Sequence, residues 1–250
     1  MKSSPLAHAI SLALVSSVLH SNYANANYEP EKIEKIVVTG QKIDRSLQET
    51  ATSVAVVTSK NIEQQNIGDL FDVLERIPNV NGNLGSDFSI RGIDAFNVSG
   101  GGNSFLASVY VDGAALPSRM IQQGGFSTWD VAQVEVLRGP QSTLQGRNAL
   151  AGAIVMSTKA PSYEWDGKLR LGYGEYGHRE AAVAFGGELI DNQMAFRLSA
   201  EQTDLDGFKT NITRNKTSDF LSNDTYRAKF LIEPEAVPAL SINIGITHNK

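Results

Sequence analysis

The chain has 250 residues, 41% of them hydrophobic and 20% charged, with a formal net charge of −5 and no cysteine. Such a length accommodates one large or two modest domains, and an acidic balance without a basic block argues against a nucleic-acid binder. The missing cysteine excludes a disulfide framework, a thiolate metal site and a cysteine nucleophile.

Residues 1–26 read as a secretory signal peptide. Lys2 gives a positive start, Ala7 to Leu19 a short apolar core, and Ala24-Asn25-Ala26 a small-x-small cleavage site. Cleavage after Ala26 is the expectation, with retention as an anchor the alternative. No later run of about 20 apolar residues follows, so any membrane insertion is expected as strands.

Residues 27–52 are mostly polar and read as a flexible tail. One island interrupts it, Ile36-Val37-Val38-Thr39, whose β-branched residues favour extended backbone able to add to the edge of a partner's sheet. The other reading is that these residues begin the sheet that follows.

From Ser53 to Thr58 a strand is expected, with Ser59 as the cap of a helix after it. A further helix is expected over Gly68 to Ile77. Leu70, Val73, Leu74 and Ile77 share one face, Asp69, Asp72 and Arg76 the other, and Pro78 stops it. Three loops come next: Asn81 to Asp87, Ala95 to Ser104 with Gly100-Gly101-Gly102, and Ala115 to Thr128. The triple glycine is not a phosphate loop, because no Gly-Lys-Ser/Thr follows it.

The stretch from Trp129 to Pro161 organises this half of the chain. Val134, Val136 and Leu137 read as a buried strand halted by Gly139-Pro140, and Ala153 to Thr158 as a second strand. Gly139, Gly146 and Gly152 between them suit turns or close backbone approach. Glu135 and Arg138 form a charged pair in an otherwise apolar segment. Arg91 and Arg138 each sit beside glycine, and a buried guanidinium needs a carboxylate partner.

Beyond Lys168 the period becomes two. Leu169, Leu171 and Tyr173 alternate with Lys168 and Arg170, and Val183 and Phe185 with small residues. Phe196 and Leu198 oppose Arg197 and Ser199, Tyr226 and Phe230 oppose Arg227 and Lys229, and Ile242, Ile244 and Ile246 oppose Asn243 and Thr247. Successive segments of roughly ten residues, apolar on one face only, suit a membrane barrel with a wet lumen, and equally a soluble sandwich. Connections at Gly174 to Gly177, Gly187 to Asn192 and Pro234 to Pro238 are short, whereas Asp204 to Asn223 is long and polar.

The motifs are more specific than their pattern. SIRGID at Ser89 to Asp94, VYVDG at Val109 to Gly113, VEVLRGPQSTLQG and AGAIVMSTKAP resemble, in order, the plug domain of TonB-dependent outer-membrane receptors. Gln145 and Arg147-Asn148 depart mildly from the usual form. The resemblance implies an α+β plug domain, a small mixed sheet with short helices, over residues 53–161. Antiparallel strands of an incomplete transmembrane β-barrel follow over 165–250, and the tilt of the choice from sandwich to barrel rests on it. The barrel in this family resembles a cylinder of about 22 strands, so the chain is expected to be the N-terminal part of a receptor.

By the same resemblance, Ile36, Val37, Val38 and Thr39 form the TonB box, bound by TonB, which works with ExbB and ExbD, through strand addition. Arg91, Gly92, Asp112, Gly113, Glu135, Arg138, Gly139, Gly146 and Gly152 form the plug motifs, with Arg91 and Arg138 locking plug to barrel through acidic residues of the wall. Pairing of Arg138 with Glu135 inside the plug is the alternative. Phe96, Phe105, Arg119, Gln122 and Gln123 are the candidate substrate contacts at the plug apex. The implied partners are a ferric siderophore or similar large solute, outer-membrane lipid and the barrel assembly machinery, with no cofactor.

Enzyme signatures are missing: no G-x-S-x-G elbow and no H-E-x-x-H occurs, and beyond the leader only His178 and His248 remain. Asp204-Leu205-Asp206-Gly207 starts like a calcium loop but lacks the later ligands. A soluble β-rich secreted protein, or a passive porin, is the rival expectation.

Overall fold

The computed structural model describes residues 36–40, 45–46, 53–83, 87–95, 105–123, 126–141 and 149–250. The expected signal peptide over 1–26, most of the expected tail, Phe96, Gly100-Gly101-Gly102, Gln145, Gly146 and Arg147-Asn148 lie outside them.

The first half is built on a five-stranded mixed sheet in the order β3-β9-β10-β7-β8, formed by Val54–Thr58, Val131–Arg138, Gly152–Thr158, Ala107–Val111 and Ala114–Ala115. The β10–β7 pair is parallel and the others antiparallel. Helices α1 (Ser59–Gln64) and α2 (Leu70–Glu75) bury Ile62, Leu70, Phe71, Val73 and Leu74 against Val134, Val136, Ile154 and Met156 of the sheet. The helix expected from Gly68 is shorter, because Asp69 is its N-cap, accepting from the Phe71 N–H at 2.7 Å. The cap of α1 is Thr58 rather than Ser59. Its side chain and that of Asn61 exchange hydrogen bonds with each other's backbone, a reciprocal box that shifts the start by one residue.

Two family motifs are tight hairpins. β5 (Asp87–Ile90) and β6 (Ile93–Asp94) are joined by Arg91-Gly92, with φ of 55° and 77°; β7 and β8 are joined by Asp112-Gly113, with φ of 48° and 82°. Positive φ at both central residues is what a two-residue type I′ hairpin requires. β4 (Val80–Asn83) pairs with β5, so the expected loop from Asn81 to Asp87 is largely a hairpin. The expected loop from Ala115 to Thr128 contains a helix, α3 (Ser118–Gln123).

Gly152 is the glycine that the sheet most needs. A Cβ there would stand 2.3 Å from the Leu137 carbonyl oxygen and 3.0 Å from Ile90 Cδ1.

The second half is a meander in the order β11-β12-β13-β16-β17, all pairs antiparallel: Asp166–Tyr173, Arg179–Ile190, Met194–Leu205, Leu221–Ile232 and Ile242–Asn249. The turn after β12 is Asp191 to Gln193, tighter than expected, because β12 runs through Gly187 to Ile190. The long connection carries its own small hairpin, β14 (Thr210–Asn211) with β15 (Lys216–Thr217).

The two faces of this sheet are inverted relative to a water-soluble protein. Leu169, Leu171, Tyr173, Val183, Phe185, Ile244 and Ile246 are exposed, with Leu171 at 74%. Arg197, Ser199, Glu201, Thr225 and Arg227 are buried, with Arg197 at 4%, against the plug. A sandwich would turn its aliphatic face to a core; here that face points away from all described protein. Among the described residues no helix is long and apolar enough to cross a membrane.

Candidate functional site: the leader slot and the plug–wall interface

The leader strand sits on the plug. Val37–Val38 forms β1, paired antiparallel with β2 (Arg45–Ser46), and Val38 is fully buried. The second face of the mixed sheet, where Leu137, Ala153 and Val155 cluster, receives it. Both faces of β9 are thus covered, which is why VEVL reads as a continuous apolar run with one acid inside it.

That acid, Glu135, is fully buried. Its Oε1 accepts from the Thr39 N–H (2.8 Å), the Thr39 hydroxyl (2.7 Å) and Gln133 Nε2 (2.8 Å); its Oε2 accepts from the Gly40 N–H (2.9 Å). Gln133 Nε2 also donates to the Val37 carbonyl at 3.0 Å. The Glu135–Arg138 pair does not form. Strand residues three apart point to opposite faces, and Arg138 Nη1 instead donates to the Pro78 carbonyl at 3.1 Å. Its buried Nε has no partner among the described residues. Arg91 is exposed in its turn, and Gly139 lies beside its Nη1. Among the described residues neither arginine meets a carboxylate within 4.0 Å.

The plug–wall ion pairs run in the opposite sense, with cations on the wall. Asp130 accepts from Arg197 Nε and Nη2, both at 2.6 Å, while Arg197 Nη1 reaches Asp166 at 2.7 Å. Lys168 and Arg170 both lie over the Trp129 ring, 4.3 and 4.8 Å from its centroid, and the Trp129 Nε1–H donates to the Val183 carbonyl at 3.0 Å. Arg227 donates to the Trp129 and Ser127 carbonyls at 2.7 and 3.2 Å. A second contact joins the two distant motifs. Asp112 of VYVDG accepts from the Thr158 N–H (2.8 Å) and hydroxyl (2.7 Å) and pairs with Lys229 of β16 at 2.9 Å.

Asp69 lies near this interface. Burial pushes its carboxyl up to about 7, the Phe71 N–H opposing and the neighbouring acids Asp72 and Glu201 adding to the rise.

The substrate-contact candidates fare unevenly. Phe105 is only 6% exposed and packs in the main core. Arg119 is exposed on α3, whose backbone also carries Gln122 and Gln123. Sequence reading missed Ser127, Trp129 and Asp130 as the interface. A tryptophan and an acid just ahead of a buried strand were the available signal. Among the described residues no three His, Cys, Asp or Glu side chains cluster to hold a metal.

A small mixed-sheet domain seated on the polar face of an outward-apolar antiparallel meander defines the class: a plugged outer-membrane β-barrel receptor. Residues 46–153 match the TonB-dependent Receptor Plug Domain. The chain is 31% identical over 209 residues to the Vitamin B12 transporter BtuB of Vibrio vulnificus, covering 81% of this chain and 33% of that protein. It is 27% identical over 199 residues to the Ferrioxamine receptor of Yersinia enterocolitica, covering 77% and 25%. Among solved structures, the ferric yersiniabactin uptake receptor FyuA from Yersinia pestis superposes with TM-score 0.70 at 20% identity, over 79% of this chain and 31% of that one. The ferripyoverdine receptor of Pseudomonas aeruginosa gives 0.71 at 18% identity, over 86% and 27%. The chain carries the plug domain of TonB-dependent receptors over residues 46–153, and the proteins it resembles are transporters and receptors rather than enzymes. It spans a quarter to a third of the length of these relatives.

Proposed function

We propose that this chain serves the active import, across the outer membrane of a Gram-negative bacterium, of a large scarce solute, a ferric siderophore being the first choice. The observation that carries this is the inverted sheet. A lipid-facing apolar side and a charged side with a plug seated on it put the plug in the path of a solute, so rearrangement of the plug is the step that admits it.

Energy for that rearrangement enters through Ile36, Val37, Val38 and Thr39 as the TonB box, which TonB, with ExbB and ExbD, engages by strand addition. The short β1–β2 pairing supports this reading, since two residue pairs are easily exchanged for a partner's edge. Arg91 and Arg138 stand as further plug-side cations for acids of the wall. Arg119, Gln122 and Gln123 remain candidates for solute contact. The long connection holding β14 and β15 faces outside together with the turn at Gly174 to Gly177, whose Tyr176 packs on Phe208, and the turns after β12 and after β16 face the periplasm.

Val37→Pro removes a ladder donor and fixes φ. The expected result is loss of uptake of radiolabelled ferric siderophore with surface binding unchanged. Unchanged uptake counts against the box. The vitamin B12 transporter among the relatives motivates cobalamin as the second solute to assay.

A further inference from the structure

We propose that Glu135 is the latch that keeps the leader docked, so that loss of its hydrogen bonds is the event that makes Ile36 to Thr39 available to a partner. This rests on the reading of that segment as the partner-binding box.

Glu135 is fully buried in the middle of β9, and its named donors are all uncharged: Thr39 N–H, Thr39 hydroxyl, Gly40 N–H and Gln133 Nε2. Three of the four belong to the leader. A buried carboxylate is costly unless such donors satisfy it, so leader and carboxylate depend on each other. The slot is cut for glycine. A Cβ on Gly40 would lie 2.9 Å from Glu135 Oε2 and 3.1 Å from both Leu137 Cδ1 and Val155 Cγ2. Gln133 bridges Glu135 to the Val37 carbonyl, tying the carboxylate to the box strand itself. The two ladder pairs of β1 run to β2 of the same leader and not to the plug sheet, so among the described residues the carboxylate supplies much of the polar attachment.

The latch makes a distinction that general packing does not. An amide at position 135 keeps the volume but turns an NH₂ toward leader N–H groups, placing donor against donor. Glu135→Gln therefore releases the leader while the apolar core behind β9 stays intact.

The test uses the intact receptor in lipid nanodiscs, with Val38→Cys as reporter and Ile154→Cys as a core control. Both sites are fully buried. In solute-free receptor, Glu135→Gln is expected to raise maleimide labelling at position 38 about tenfold, the equivalent of about 1.4 kcal/mol, and to leave position 154 unchanged. Gly40→Ala is expected to act in the same direction. Labelling at position 38 that does not change, or that rises equally at position 154, overturns the latch. If Glu135→Gln does not reach the membrane, Thr39→Val, which deletes one donor, serves in its place under the same two criteria. Binding of the isolated periplasmic domain of TonB separates the two readings. Tighter binding to Glu135→Gln supports both, whereas released position 38 with unchanged binding keeps the latch and removes the box.

Discussion

Asp130 and Arg197 join plug to wall through two parallel N–H···O contacts of 2.6 Å, with side chains only 3% and 4% exposed. Bidentate geometry and burial place this pair among the strong ones. Taking away Arg197 leaves buried Asp130 with Lys168 at 3.7 Å as its substitute, and taking away Asp130 leaves buried Arg197 with Asp166 at 2.7 Å alone. Asp130→Ala or Arg197→Ala should each lower plug stability by about 3–5 kcal/mol, and the double variant should recover part of that loss. Calorimetry of the four receptors in detergent closes the cycle; additive losses would mean that the pair is uncoupled.

Asp69 gives the plug a pH dependence of defined sign. Its folded-state value, about 7, stands above the 3.8 of an ordinary aspartate, so the folded plug binds the proton more tightly than the unfolded chain. The associated stability is fully present below pH 3.8 and is lost as pH rises through 7. Plug stability should therefore fall between pH 5.5 and 8.5 by an amount on the order of a few kcal/mol, read as a lower melting temperature. Asp69→Asn keeps an N-cap oxygen and should flatten this slope. A slope that survives in the asparagine variant assigns it to another group.

Gly152→Ala drives a methyl into the Leu137 carbonyl, backbone that cannot swing aside. The two central plug strands would have to part, at a cost of about 3 kcal/mol or more. Protease sensitivity of the plug in the assembled receptor is the measurement, and resistance equal to the parent would show that the β9–β10 register yields more readily than its geometry indicates.

How much was legible beforehand follows from the range of each interaction. The helical face of Leu70, Val73 and Leu74 and the period-two strands are local patterns, so α2 and the strand through Leu169 to Tyr173 declared themselves to within about two residues at each end; the Thr58 and Asp69 caps and the Asp112-Gly113 hairpin are just as local but went unread. Motif order along the chain carried the family. Partner choice across long separations did not show. Glu135 looked like a mate for Arg138 three residues away, but pleating sends the two to opposite faces, and the carboxylate serves Thr39 and Gly40 instead.

By itself, then, the sequence determined the alternation that makes one sheet face apolar and the other charged, and the turn chemistry that makes the plug's hairpins. It did not say which way the sheet faces, because period-two patterning is identical for a sandwich and a barrel. Only the tertiary structure decided that Leu171 turns outward while Arg197 turns inward to Asp130, and that a leader strand ends in the grip of a buried acid. Burial and charge pairing between residues tens of positions apart are properties of the packed chain, and no local pattern encodes them.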